Sequence, residues 1–530
     1  DLLPLVNLSQ DAIDRLVATV PGGARNVQDI YPLAPLQDGI LYHHLAAEQG
    51  DPYVLKTVFE LQSRDRLAAF VDALQYVIDR HDILRTSVVW QGFDAPIQVV
   101  WREAKLHLEE IALDIAQGDI AAQLQERFDP QHYRLDITQA PLMRLVFAED
   151  AINQRWVAVL LFHHMALDHT ALEVVQQEMQ AHLLGQADQL PVAMPYRNYV
   201  AQARLGVSQQ EHEGFFREML GDVDEPTLPF GLQDVSGDGQ AIEHARQVVE
   251  ATLSQRLRAQ ARQLGVSAAS LVHLAWAQVL GRVSGKDDVV FGTVLLGRMQ
   301  SGDGADRVLG MFINTLPLRV EVSSQGVREG VKATHARLTG LLGHEHASLA
   351  LAQRCSGVVA PLPLFSALLN YRHSASAAAE VSNETQAAWQ GIEFLSNEEQ
   401  TNYPLTLSVD DLGDAFMLSA LVLQGIGAAR ICAYMHTALE SLVQALERAP
   451  QTPLDRLEIL PSAERRHVLV DFNATTRRYP QDKTVHGLFE AQANERPQAV
   501  AAVHDAHSLT YAELNHRANR LARHLVGLGV

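Results

Sequence analysis

The sequence predicts an α/β (α+β) protein with more than one core, and three features predict it. Short runs rich in Val, Ile and Leu alternate with stretches of helical periodicity along most of the chain, as strands interleaved with helices do. The chain has 530 residues, more than one core organises, so two to four domains are expected. Hydrophobic residues make up 47% and charged residues 20%, a globular rather than a disordered composition. The net charge of −21 argues against a nucleic-acid partner, which calls for basic patches. No apolar run of about 18 residues occurs, so no membrane partner is expected, and DLLPLVNLSQ lacks the pattern of a signal peptide. Cys355 and Cys432 are too few for a disulfide framework and suit a cytoplasmic protein. Neither sits in a nucleophile motif, so both are read as small core residues. The chain does not begin with Met and reads as a piece of something longer.

In order, residues 1–27 hold a short amphipathic helix, Ser9 to Val20, closed by Pro21-Gly22-Gly23, and read as a leading linker. Tyr31 to Tyr53 starts extended on two prolines, continues as a helix from Leu36 to Ala47, and ends at Gly50-Asp51-Pro52. His43 and His44 lie in the last turns of that helix, where the dipole favours cations. Val54 to Leu61 alternates as a strand, and Asp65 to Arg80 has helical periodicity. Strands at Ser87 to Trp90 and Pro96 to Val100, a helix at Ile120 to Phe128 and a strand at Pro141 to Phe147 follow. Pro191 to Pro195 breaks the chain before a helix that starts near Tyr196. Residues 224–240, rich in Pro, Gly and Asp, read as a linker between lobes. A second α/β series then runs from about residue 242, with Ser267 capping an apolar helix, Ala268 to Leu280. Strands are expected at Val289 to Leu296, ending at Gly297-Arg298, and at Leu316 to Val322, Leu364 to Tyr371 and Leu405 to Asp410. His344-Glu345-His346 reads as a solvated helix end, and Ala428 to Arg448 as a closing helix. After Pro461 a polar linker-like stretch leads to a further unit, with a strand at Ala499 to Val503 and a helix at Tyr511 to Leu528.

One stretch gathers the titratable groups. Arg155 to Glu173 reads RWVAVLLFHHMALDHTALE. Val157 to Phe162 has the length and composition of a buried strand, and it ends in His163 and His164. Asp168 and His169 follow, and Thr170 with Glu173 forms the Thr-x-x-Glu pattern of a capping box. Successive strand side chains point to opposite faces, so one of the two histidines anchors inside and the other faces a cleft. An Asp a few residues on fixes the turn, by pairing a cation or by holding an imidazole tautomer. Arg85, beside Ile83 and Leu84, is the candidate cation for Asp168. A metal site is the competing reading, since His and Asp are ligands. The adjacent histidines diverge, and there is no His-Glu-x-x-His helix or Cys pair, so none is expected.

His163-His164-x-x-x-Asp168 resembles the active-site motif of nonribosomal peptide synthetase condensation domains. YPLAPLQ and RHDILRT look like that family's first two motifs, and PYRNYV, GMFINTLPLR and TNYPLTL (401–407) resemble later ones in order. His169 departs from the family pattern, which has glycine after the Asp, and puts a tight glycine turn in question. His43-His44-Leu45-x-x-x-x-Gly50-Asp51 is similar to the extra motif of dual epimerisation/condensation domains. VHGLFEAQANERP and LTYAEL look like the start of an adenylation domain.

The resemblance implies two lobes, each like chloramphenicol acetyltransferase, in a V-shaped pseudo-dimer with a central tunnel. The expected divisions are 1–27 leading linker, 28–190 N-terminal lobe, 191–458 C-terminal lobe, 459–480 linker, and 481–530 adenylation fragment. It implies no resident cofactor. It implies upstream and downstream peptidyl carrier domains that deliver 4′-phosphopantetheine arms, and an adjoining adenylation domain in the same chain. It implies catalysis by His164, with His163 and Asp168 shaping the turn, His43 and His44 serving the donor side, and Arg85 and His169 as support. The reaction it implies is peptide-bond formation, with the donor residue turned from L to D beforehand. The alternatives are condensation alone on a D-configured donor and a silent carrier-recruiting domain of the same fold.

Overall fold

A computed structural model describes residues 3–47, 49–232, 242–297, 307–373, 383–397 and 403–530. Residues 233–240 of the predicted linker at 224–240, Arg298, and Thr401 with Asn402 of the last motif therefore lie outside the described residues. The chain forms two compact units, Asp1–Pro461 and Ser462–Val530.

The first unit opens with α1 (Gln10–Ala18), β1 (Val27–Pro32) and α2 (Pro35–Ala46). Next come β2 (Val54–Leu61), α3 (Arg64–Arg80), β3 (Thr86–Val89), β4 (Ile97–Trp101), β5 (His107–Glu110) and α4 (Ile120–Arg127). The antiparallel pair β6 (Met143–Asp150) and β7 (Arg155–His163) is followed by α5 (His169–Leu183), α6 (Arg197–Leu205) and α7 (Gln209–Leu220). The second half holds β8 (Ile242–Val249), α8 (Ala251–Leu264), α9 (Ala268–Ser284), β9 (Asp288–Leu295), β10 (Asn314–Glu321), α10 (Val327–Leu342) and α11 (Leu349–Arg354). It closes with β11 (Ala367–His373), α12 (Asn383–Trp389), β12 (Ile392–Asn397), β13 (Leu405–Asp411), β14 (Phe416–Leu423) and α13 (Ala428–Arg448).

Two lobes result. The N-terminal lobe is built on a five-stranded sheet in the order β12-β2-β7-β6-β5, and the C-terminal lobe on a six-stranded sheet, β10-β9-β11-β13-β14-β8. β7 is central, and its unbroken apolar run follows from burial on both faces. Ala158, Leu160 and Phe162 join Phe70 and Leu74 of α3 and Val174 and Val175 of α5 in one core. Val157, Val159 and Leu161 pack with Ile120 and Leu124 of α4 in another. A third sheet, β1-β4-β3, rests on α1. Leu16 and Val20, in the stretch read as a leading linker, are buried there with Ile30, Val99 and Trp101.

The cores change over between α6 and α7. Tyr196, Tyr199 and Val200 belong to the N-terminal core, whereas Phe216 and Leu220 belong to the C-terminal one. Two later segments return to the N-terminal lobe. Val308, Leu309, Met311 and Phe312 enter its core, and β12 adds to the edge of its sheet, with Ile392 opposite Leu61. No single described helix is long and apolar enough to cross a membrane; the apolar α9 is instead buried in the C-terminal core.

In the second unit a short helix α14 (Ser462–Arg466) precedes α15 (Val485–Glu495), the hairpin β15 (Val500–His504) and β16 (His507–Thr510), and α16 (Tyr511–Gly527). Thr510 and Glu513 form a capping box at the start of α16.

Candidate active site

The site begins where β7 ends. His163 is its last residue and is fully buried; side-chain alternation gives it the parity of Val157, Val159 and Leu161. His164, half-buried, is the first residue of the following turn. The backbone N–H of His164 donates to the Tyr53 carbonyl at 2.8 Å, so the segment entering β2 grips the strand at the point where it lets go. His164 Nδ1 lies 2.9 Å from the Leu167 carbonyl, which only accepts. Nδ1 therefore carries the proton, and Nε2 carries the basic lone pair.

The turn is pinned from several elements. Gln37 of α2 is fully buried, and its Nε2 donates to the Met165 carbonyl at 2.8 Å while its Oε1 accepts from the Ala34 N–H at 2.8 Å. Gln37 and Gln98 also exchange reciprocal amide hydrogen bonds of 3.0 Å. Asp168 is fully buried and caps α5, its Oδ1 accepting from the Ala171 N–H at 2.7 Å and its Oδ2 from the Phe312 N–H at 3.1 Å. The N-cap is thus Asp168, not Thr170 as the Thr-x-x-Glu pattern suggests. Helix formation starts one residue after Asp168 because its carboxylate meets the first free N–H groups. His169 is the first helical residue, a conformation open to any L-residue, so the missing glycine strains no turn there.

The expected pairing of Arg85 with Asp168 is not formed. Arg85 lies just before β3, and its guanidinium donates to the Ile78, Trp101 and Arg102 carbonyls and to Gln28. It is a cross-brace between α3 and β4, because the short 3₁₀ turn at Asp82–Arg85 aims it back at its own neighbourhood. The cation of that motif that meets a carboxylate on α5 is Arg80, with Nε 2.9 Å from Glu178, which His81 also contacts at 2.9 Å.

The two histidine pairs meet through a residue that spacing does not single out as a site residue. Asp51, 1% exposed, accepts at Oδ2 from His163 Nε2 at 3.0 Å and from His44 Nδ1, and at Oδ1 from the Tyr53 N–H at 3.0 Å. Burial alone raises the Asp51 carboxyl, but the hydrogen bonds from His163 and His44 prevail and hold it well below the usual carboxylate range. Gly50 makes this approach possible: its φ is +65°, and a Cβ there would meet the Gln131 carbonyl oxygen at 2.1 Å. Arg134 donates to the His44 and Ala47 carbonyls and closes the end of α2. His43 does not join this group; it is exposed, its ring 6.0 Å from that of Tyr53.

His44, Asp51 and His163 place donor atoms within 4.8 Å of one another, close enough for a metal ion. The chemistry of the donors opposes one. The Met165 N–H donates to His163 Nδ1 at 3.0 Å, so Nδ1 holds the lone pair and Nε2 the proton. Burial further lowers the His163 pKa, favouring this neutral form. Ligation through Nε2 would require an imidazolate, so the trio acts as a hydrogen-bonded knot.

Three further motifs, RHDILRT, PYRNYV and GMFINTLPLR, link to the same turn. Asp82 accepts the Tyr196 N–H at 3.1 Å, and the Tyr196 hydroxyl donates to the Met311 carbonyl at 2.6 Å. Gly310, at φ +150°, passes the Tyr196 ring so closely that a Cβ would lie 2.3 Å from it, and its carbonyl accepts the Asp168 N–H at 3.2 Å. The sequence profile of the condensation domain family matches residues 27–469. The chain belongs to the condensation domain family.

Relatives agree with that membership. The domain is similar to malpinin synthetase of Mortierella alpina, 50% identical over 531 residues that cover 100% of this chain and 7% of that protein. It is 48% identical to malpibaldin synthetase of the same organism over 530 residues, covering 100% of this chain and 10% of that one. It thus spans a tenth or less of these relatives' length. Among solved structures it resembles a four-domain nonribosomal peptide synthetase bound to AMP and glycine, with TM-score 0.68, 16% identity, and 95% of this chain and 39% of that chain covered. It also resembles the X-domain in complex with OxyB from teicoplanin biosynthesis, with TM-score 0.64, 19% identity, and 81% and 96% covered. The mixed α/β, two-lobed fold of this condensation domain is theirs.

Proposed function

We propose that the domain joins a carrier-bound aminoacyl or peptidyl thioester to the amine of a carrier-bound aminoacyl acceptor, after inverting the donor residue from L to D. The observation that carries this reading is the His164 imidazole, its Nδ1–H fixed on the Leu167 carbonyl and its Nε2 basic. The thioester is already activated, so no acyl-enzyme is needed. As the amine attacks the carbonyl, the C–N bond forms and the C–S bond breaks; Nε2 takes the amine proton, and the pantetheine thiolate leaves and is protonated. Holding two tethered reactants together supplies most of the gain through orientation, and an imidazole base near neutrality adds about 10²–10⁴-fold. Phosphopantetheine arms on upstream and downstream carriers bring the substrates through a tunnel between the lobes. The unit from Ser462 onward is the opening of the adjoining adenylation domain.

For inversion, the thioester acidifies the donor α-hydrogen; His164 removes it, and return of a proton to the opposite face gives the D-centre. Support for this half comes from His44 and Asp51, two positions of the extra motif, which are tied to His163 beside the working imidazole. His44 shapes the donor side from within, and His43 reaches it from the exposed face of α2.

The test is a reconstituted condensation with an L-aminoacyl donor carrier and a loaded acceptor carrier, read by chiral chromatography. D-L product is expected from the wild type, with the rate reduced about 10²–10⁴-fold in His164→Ala. Exclusive L-L product from an active domain overturns the inversion. Product from a D-donor alone assigns condensation only. Carrier binding without any peptide assigns a silent recruiting domain.

A further inference from the structure

We propose that Asp51 is a positioning residue for the reaction at His164, tying the His44 imidazole, the His163 imidazole and the Tyr53 backbone into one knot that holds the His164 turn from both sides. The inference rests on the condensation reading above. On one side, Asp51 Oδ2 accepts from His163 Nε2 at 3.0 Å; this fixes the tautomer in which His163 Nδ1 receives the Met165 N–H, also at 3.0 Å. The residue after His164 is therefore held by the imidazole before it. On the other side, Asp51 Oδ1 accepts the Tyr53 N–H at 3.0 Å, and the Tyr53 carbonyl accepts the His164 N–H at 2.8 Å. One carboxylate fixes the backbone on both flanks of His164 without touching its ring.

The carboxylate is itself over-determined. The Asp51 backbone N–H donates to the Pro130 carbonyl at 2.8 Å, and Gly50 leaves no room for a side chain before it. His44 Nδ1, at the end of α2, supplies the third donor. The same helix sends Gln37 to the Met165 carbonyl, so α2 holds the turn directly through Gln37 and, by way of Asp51, through His44.

All three groups around the carboxylate donate. Tyr53 offers an amide N–H, His163 a proton fixed on Nε2 by the Met165 contact, and His44 its Nδ1–H. Asparagine has the shape of aspartate but one acceptor and one donor end. Whichever way it is turned, its NH₂ faces a donor, either Tyr53 or His163 with His44. Asp51→Asn is thus near-isosteric and electronically wrong, and it separates positioning from packing.

The test uses the 530-residue chain with both carriers loaded. Asp51→Asn is expected to lower the single-turnover rate about 10²-fold, as a misplacement of about 1 Å does, with the KM for the acceptor carrier little changed. Long-range ¹H–¹⁵N spectra of histidine-labelled protein give a readout that a purely structural role would not move. In the wild type, His163, identified by its loss in His163→Asn, is expected as a fixed Nε2–H tautomer that does not titrate between about pH 6 and 9. In Asp51→Asn, His164 is expected to pass from a fixed Nδ1–H tautomer to an exchanging mixture. A His163 that carries its proton on Nδ1 or titrates in that range overturns the proposal. So does an Asp51→Asn protein that keeps the His164 signature and a rate within about twofold of wild type. If Asp51→Asn does not fold, the wild-type tautomer decides. If the wild type forms no peptide from any loaded pair, the condensation reading fails, and the spectra still decide whether the knot exists.

Discussion

Gln37 shows how one residue serves a site from outside it. It is fully buried, and it satisfies Ala34, Met165 and Gln98 at once. Gln37→Ala takes the partner from the Met165 carbonyl, the Ala34 N–H and Gln98 Oε1, while Gln98 Nε2 keeps the Pro32 carbonyl, and leaving buried groups unsatisfied costs about 1–3 kcal/mol. The expected outcome is a lowered urea midpoint for the first unit together with a slower condensation. Gln37→Glu should behave no better, because a carboxylate cannot donate to Met165. The sequence shows a glutamine shortly after Pro35 in a motif, but a partner 128 residues away is invisible to spacing. Arg85 makes the same point from the other side. Its buried surroundings are legible from Ile83 and Leu84, but its hydrogen-bond partners are not, because they lie on α3, on β1 and at the end of β4.

At the scale of elements, β7 is readable because a strand buried on both faces leaves an unbroken apolar run, bounded here by Trp156 and His163. The helix after it is readable too, but its cap is not, because two acceptors, Asp168 and Thr170, stand at competing positions. The structure selects Asp168, whose second oxygen is wanted by Phe312. β12 has no clear signal in the sequence. Its residues, IEFLSN, lie far along the chain, and it pairs with β2 only because the chain recrosses to the other lobe. Phe394 then packs on Phe59 with ring centroids 4.8 Å apart, and Trp389 donates to Gln180 of α5 at 3.2 Å. Ile392→Ala, which removes buried methylenes opposite Leu61, should weaken this crossing by about 2–4 kcal/mol. Hydrogen exchange of the β2 amides is expected to accelerate, whereas β7, which is flanked by β2 and β6, stays protected.

Over the whole molecule, buried histidines set the response to acid. Burial, aided by the neighbouring His344, lowers His212 to about 4, and burial lowers His273 to about 4. The unfolded chain, with histidines near 6.5, then binds more protons than the folded one between those values. Stability is therefore complete above about pH 6.5 and drains as pH falls toward 4. His163 and His346, lowered by burial, act in the same direction. Asp82, raised by burial, opposes them, and so does Asp38, raised to about 6 by local desolvation with its side chain 44% exposed; their folded forms hold protons that the unfolded forms have lost. Asp51, held low by His163 and His44 against its burial, loses its contribution only in stronger acid, below the ordinary carboxylate pKa. Several lowered imidazoles against two raised carboxyls give the sign: the urea midpoint at about pH 5 should lie below that at about pH 7.5. A midpoint that is flat or rises toward acid would show that the histidines are not buried neutral.

The strand, the turn and their polar residues are legible in the amino-acid order alone, because periodicity and composition are local properties of the chain. The family's motifs, too, stand there in order. Which of these residues meet is settled only by folding. His44 and Asp51 join His163, and Gly310 and Phe312 join Asp168; of these contacts only that of His44 with Asp51 spans fewer than 100 residues of chain. The reason is that a hydrogen bond in a core is fixed by the packing of whole elements, and no spacing rule reaches that far. The strand-to-helix turn at His164 is therefore written in the sequence, and the grip on it is written in the fold.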